Sequence, residues 1–214
     1  MSSTIPPEVT PDDKDWASVA AAGCPQCGHL PQAPHHTGAL LLASVDLWRA
    51  RIEASDARLR PDASTWSPLE YLAHVRDLAL VFAQRLSITL TESEPELASW
   101  DQDAAAVEAS YYALDPAEVI EEYAIAAIAL AEAFDAVAGS QWERKARRSD
   151  AVTFTVASMA NYFLHDIRHH LHDVGVKLPD SSRLGDWTGS GKDSVDQLHQ
   201  HHPDSATNQG HRHL

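Results

Sequence analysis

The chain has 214 residues, 44% of them hydrophobic, and a formal net charge of −15; that length suits one domain of ordinary size with tails. So acidic a chain repels phosphate backbones and anionic lipid, and its one short basic run, RKARR at 144–148, reads as a solvated loop, so no nucleic-acid role is expected. No apolar run approaches the roughly 20 residues of a membrane span, and MSSTIPPEVTPDDKDW lacks the basic-then-apolar order of a secretory signal, which leaves the cytoplasm as the default location.

Residues 1–36 are punctuated by Pro and Gly and read as an irregular leader. It contains GCPQCGH, with Cys24 and Cys27 spaced as half of a zinc knuckle and no second CxxC to complete it. On paper His29, His35 and His36 can complete a Cys2His2 set. A redox pair lacks the strand–helix context, and the plainest alternative is a tight turn with two reduced thiols. The segment 38–55 repeats Leu41, Val45, Trp48 and Ile52 at the helical period. Ser67, Pro68 and Glu70 then announce a second helix by a capping box, and Leu72, Val75, Ala79, Phe82 and Leu86 form its apolar stripe before Pro95. Ser99 with Gln102 signals a short helix within 99–113, lying across the connection. Asp115, Pro116 and Glu118 open a third long helix that runs through Phe134 and Val137 to Gly139. The last runs from about Thr155 to Val174, closed by Gly175 and Pro179.

Nothing alternates at period two. The expectation is an all-α four-helix bundle over 37–178, with a short extra helix in the crossover and irregular N- and C-terminal segments. Residues 179–214 are polar and His-rich, with too little to bury to offset the entropy of ordering, so this tail is expected to be disordered. His199, His201, His202, His211 and His213 make it a loose chelator at most.

The stretch NYFLHDIRHHLHDVG, 161–175, carries the chemistry. Residues four apart stack on one helix face, so His165 and His169 aim at one point; His172 shares that face and His170 points elsewhere. His74, on the flank of the second helix's stripe, is the candidate third ligand. Three imidazoles and an open position are how a catalytic zinc is held. The stripe Val156, Phe163, Ile167 and Leu171 lies roughly opposite the His column, so a buried column requires this helix to pack on two sides. Trp66 reads as a core plug.

TWSPLEYLAHVRD followed about 90 residues later by NYFLHDIRHHLHD resembles the DinB-like superfamily, which includes the YfiT-type proteins, in its WxxxExxxHxxD and HxxxH motifs. The resemblance covers roughly 38–176. CPQCG at 24–28, WDQD at 100–103 and RRSDAVTFTV at 147–156 are similar to an actinobacterial branch. What the resemblance implies is a four-helix bundle with an uncommon connection and a divalent metal on His74, His165 and His169, zinc first, with nickel or iron as alternatives. The implied function is a metal-dependent enzyme that activates a low-molecular-weight thiol, a mycothiol-type S-transferase or isomerase, against an electrophilic small molecule. A metal-dependent hydrolase and a non-catalytic metal buffer are the alternatives. Where relatives carry an R-G-Q-like segment, His170, Leu171 and His172 stand here. His172 is the candidate pocket base or spare ligand. Asp166, Asp77 and Glu70 are candidates to hold a ligand's second nitrogen, and Trp100, Asp101 and Asp103 to close the pocket mouth. Arg76 and Arg168 are candidates to receive an anion. No membrane partner is expected, and the resemblance leaves room for a homodimer.

Overall fold

Four long helices stand where the apolar periodicity puts them, in a computed structural model that describes residues 16–181. The expectations for the His-rich tail beyond 181 lie outside the described residues. In chain order the elements are α1 (Trp16–Ala22), α2 (Thr37–Ile52), α3 (Pro68–Thr91), β1 (Glu96–Leu97), α4 (Gln102–Glu108), α5 (Pro116–Asp135), β2 (Lys145–Arg148), β3 (Thr153–Thr155) and α6 (Val156–Asp173).

The start signals work as chemistry. Ser67 Oγ accepts from the Glu70 amide at 3.3 Å, and the Glu70 carboxylate accepts from the Ser67 amide at 2.9 Å. Asp115 caps α5 through the amides of Ala117 and Glu118. At α4 the cap is Asp101, which accepts from Asp103 and Ala104, rather than Ser99; a carboxylate at a helix N-terminus also gains from the dipole. Ser99 instead meets Ser149 hydroxyl to hydroxyl at 2.7 Å.

Around the bundle the helices neighbour one another in the order α2, α5, α3, α6. Consecutive helices α2 and α3 therefore sit mainly across the bundle, which is the uncommon connection. Trp48, Phe82, Leu130, Phe134 and Phe163 fill the centre, each essentially inaccessible to solvent. Val156, Ile167 and Leu171, the rest of the expected α6 stripe, are buried there too.

Two segments differ from the sequence reading. The leader is not irregular throughout, since α1 packs on α6. RKARR is not a solvated loop: most of it is β2, parallel to β1 and antiparallel to β3, with Ala146 turned inward between Lys145 and Arg147. Strands of two to four residues are too short to show an alternation. Among the described residues no helix is long and apolar enough to cross a membrane.

Leu130→Ala should cost about 2–5 kcal/mol by cavity formation and Ser67→Ala about 1 kcal/mol by loss of the cap. Urea denaturation of both variants checks the order.

Candidate metal centre

The leader reaches the last helix through a tight turn at the two cysteines. The Cys24 carbonyl accepts from the Gly28 amide at 2.9 Å, and the Cys24 amide donates to the His29 carbonyl at 2.9 Å. Gly28 takes φ +72°, a conformation that costs glycine little. Trp16 of α1 lies edge-on to His169, ring centroids 4.9 Å apart, and 5.4 Å from His165. Asn161 fixes the segment beyond the turn, its side chain accepting from the Gln32 amide at 2.7 Å and donating to the Gln32 carbonyl at 3.0 Å.

That docking puts both thiols against α6. Ligating atoms of Cys24, Cys27, His165 and His169 all lie within 4.8 Å of one another, with Cys24 Sγ 3.7 Å from His169 Nδ1. The first three residues are buried and His169 is nearly so. Asp173, one turn beyond, brings a carboxylate oxygen to 3.8 Å from His169 Nε2. His29 stands behind the cluster, its ring 5.3 Å from that of His165. Both nitrogens of His165 are buried without a hydrogen-bond partner among the described residues, while His29 is buried beside the Ala20 backbone.

Burial decides the protonation of these groups. It holds His165 down to about 3, helped by the neighbouring His29 and His169, and His29 down to about 4, helped by Arg168. Burial also pushes the Cys27 thiol up to about 11, against the pull of the His29 amide and, more weakly, of Arg168. The imidazoles are therefore neutral, the form in which they ligate.

A tetrahedral site with bonds of about 2.0–2.3 Å spaces its ligand atoms roughly 3.3–3.8 Å apart. Four donors already within 4.8 Å need only a small inward movement to hold such an ion. Two thiolates and two imidazoles fill four positions, the closed arrangement of structural zinc sites. Soft sulfur with imidazole in that geometry is a donor set that suits zinc.

His74 is elsewhere. Its ring, 0% exposed, stacks on Trp100 at 5.3 Å and 9°, and contacts Trp66 and His170 at 5.5 and 4.8 Å. Its nitrogens too are buried and unpartnered, and burial followed by His170 holds it well below the usual imidazole range. The structure thus brings His165 and His169 together and puts His74 with His170. The adjacent residues His169 and His170 are about 100° apart on the helix, one facing the leader and the other α3. His172 is exposed, its ring 6.4 Å from that of His169. His35 and His36, offered as local partners for the cysteines, pack against each other instead, with ring centroids 4.1 Å apart and planes tilted by 52°.

The charged candidates are mostly committed. Glu70 serves the capping box and Arg60, Asp77 takes Arg76 and the Tyr111 hydroxyl, and Asp101 caps α4. Arg76 bridges Asp77 and Glu122, while Arg168 donates to the carbonyls of Leu178 and Pro179. The residues missed in sequence were Asp173, signalled by its i+4 spacing from His169, and the pairing of CxxC with α6. No local signal carries the latter across a separation of 145 residues.

Beside the cluster opens a cleft of about 450 Å3 between α3, the 99–102 segment, the β2–β3 turn and α6. Trp16 forms part of its wall, as do Trp100, Arg85, Arg148 and Asp166. WDQD and RRSD thus meet in space at this cleft.

The sequence profile of the DinB superfamily matches residues 47–174. Among solved structures the chain is similar to YfiT from Bacillus subtilis, at 16% identity and a TM-score of 0.59, over 72% of this chain and 89% of that one. That protein is described as a probable metal-dependent hydrolase with an unusual four-helix bundle topology. At such identity the likeness concerns the fold. No curated protein matches.

The depressed imidazoles make the metal-free protein acid-sensitive. Unfolded histidines bind protons below about 6.5 while His165 and His29 refuse them in the fold. Their contribution is therefore intact above that pH and is lost as pH falls towards 4 and then 3. Urea midpoints of chelator-treated protein should drop steadily from pH 7 to pH 4.

Proposed function

This chain belongs to the DinB superfamily, and we propose that within it the protein binds one divalent ion, zinc, through Cys24, Cys27, His165 and His169. The single observation that carries the reading is the convergence of four ligating atoms within 4.8 Å, three of the four residues buried. An uncompensated buried imidazole costs about 1–3 kcal/mol, and coordination is what relieves His165. An ion held this way supplies a cross-link between the leader and the bundle, its charge offset by two thiolates. Arg168 lends positive charge near Cys27, and Asp173, hydrogen-bonded to His170 at 3.4 Å, places its negative charge 3.8 Å from the His169 ring. This ligand set differs from the set of His74, His165 and His169 implied by family resemblance in taking the two cysteines in place of His74, whose ring packs on Trp100, Trp66 and His170.

A second reading makes the protein an enzyme, and the cleft favours it. In that reading a small molecule is transformed beside the centre, by thiol transfer from a low-molecular-weight thiol to an electrophile or by hydrolysis. A four-ligand ion offers no free position to water or thiol, so the chemistry would rest on the groups of the cleft wall.

Metal analysis of protein purified without affinity chelation should find one equivalent of zinc per chain. Cys24→Ser, Cys27→Ser, His165→Ala and His169→Ala should each weaken retention at least tenfold, whereas His74→Ala and removal of residues 182–214 should not. Cobalt-substituted protein should show sulfur-to-metal charge-transfer absorption that Cys24→Ser/Cys27→Ser abolishes. Full retention in the double cysteine variant, or loss on His74→Ala alone, would sink the assignment.

A further inference from the structure

The cleft beside the metal centre has a charge pattern of its own. Two guanidiniums and two carboxylates face it, Arg85, Arg148, Asp150 and Asp166. One opposite pair is already closed, because Arg148 donates through Nε and Nη2 to Asp150 at 2.6–3.0 Å and rests on the rings of Phe154 and Tyr162. The other two groups are not closed. Arg85 donates only to the Ala98 carbonyl at 3.0 Å and lies over the Phe82 ring, and it takes part in no salt bridge among the described residues. Asp166 accepts no hydrogen bond among the described residues. The two stand on opposite walls, α3 and α6, attracting each other across the cleft, but form no direct ion pair among the described residues.

Between them the walls are aromatic: Trp16, Phe82, Trp100 and Tyr162. A volume of about 450 Å3 is that of a small-ligand site. A simple anion would satisfy Arg85 but face Asp166, and a simple cation the reverse. A ligand carrying both charges satisfies both at once.

We propose that the cleft is a binding site for a small zwitterion, an α-amino acid with an apolar or aromatic body, its carboxylate on Arg85, its ammonium on Asp166 and its body against the aromatic walls. This inference rests on the cleft and stands independently of the ion. It extends the enzyme reading by naming a substrate class.

Isothermal titration of the full-length, metal-loaded protein with L-phenylalanine and L-leucine tests it, with 3-phenylpropanoate and phenethylamine as analogues that each lack one charge. The amino acids should bind, and each analogue should bind at least tenfold more weakly, the loss expected for one charge-assisted hydrogen bond. Arg85→Gln should lower L-phenylalanine to the level of phenethylamine and leave phenethylamine unchanged. Asp166→Asn should lower L-phenylalanine to the level of 3-phenylpropanoate. No saturable binding of any amino acid to the wild-type protein would overturn the proposal. So would equal binding of all three phenyl compounds, or variants that weaken all three alike.

Discussion

A neutral imidazole buried with nothing to bond is the constraint on which this molecule turns. His165 sits on a helix whose opposite stripe, Phe163, Ile167 and Leu171, is committed to the bundle core. Left alone, its own face would meet water. The leader covers it instead, with Trp16, His29 and the two thiols packed around the ring. Covering a polar group removes its water, and the loss is recovered only if something replaces that water. The donor set assembled there is the set a soft divalent ion takes.

Helix α6 sends its polar residues to different destinations. His165 and His169 turn to the leader, Asp166 to the cleft and His170 to Tyr71 and His74. Arg168, almost fully buried, ties the 178–180 segment back by its carbonyls and sits near Cys27. A helix with this many polar positions remains buried because each side meets a neighbour chosen for it. The core side contributes transfer free energy, and the other sides contribute specific partners.

Trp16 joins the two sites. It packs edge-on against His169 of the cluster and also forms part of the cleft wall. An ion bound at the four-residue cluster would therefore also fix one wall of the cleft. Trp100 does the equivalent on the other side, stacking on His74 while facing the same space. The acidic residue between Trp100 and Gln102 has a structural explanation, since Asp101 caps α4.

The bundle was legible in the sequence because its signals are local. A capping box at Ser67, caps before proline at Asp115 and apolar residues at the helical period are satisfied within one or two turns, and the helices begin and end accordingly. Half of the centre was legible for the same reason: His165 and His169 share a face by their spacing alone. The tertiary structure decided the rest. Whether the helix-six pair would meet His74 or Cys24 depends on which neighbour covers which flank of α6, and a rotation of about 100° per residue sends His169 to the leader and His170 to α3. The short strands and the cleft they help enclose were hidden likewise, because contacts between distant segments leave no period in the chain.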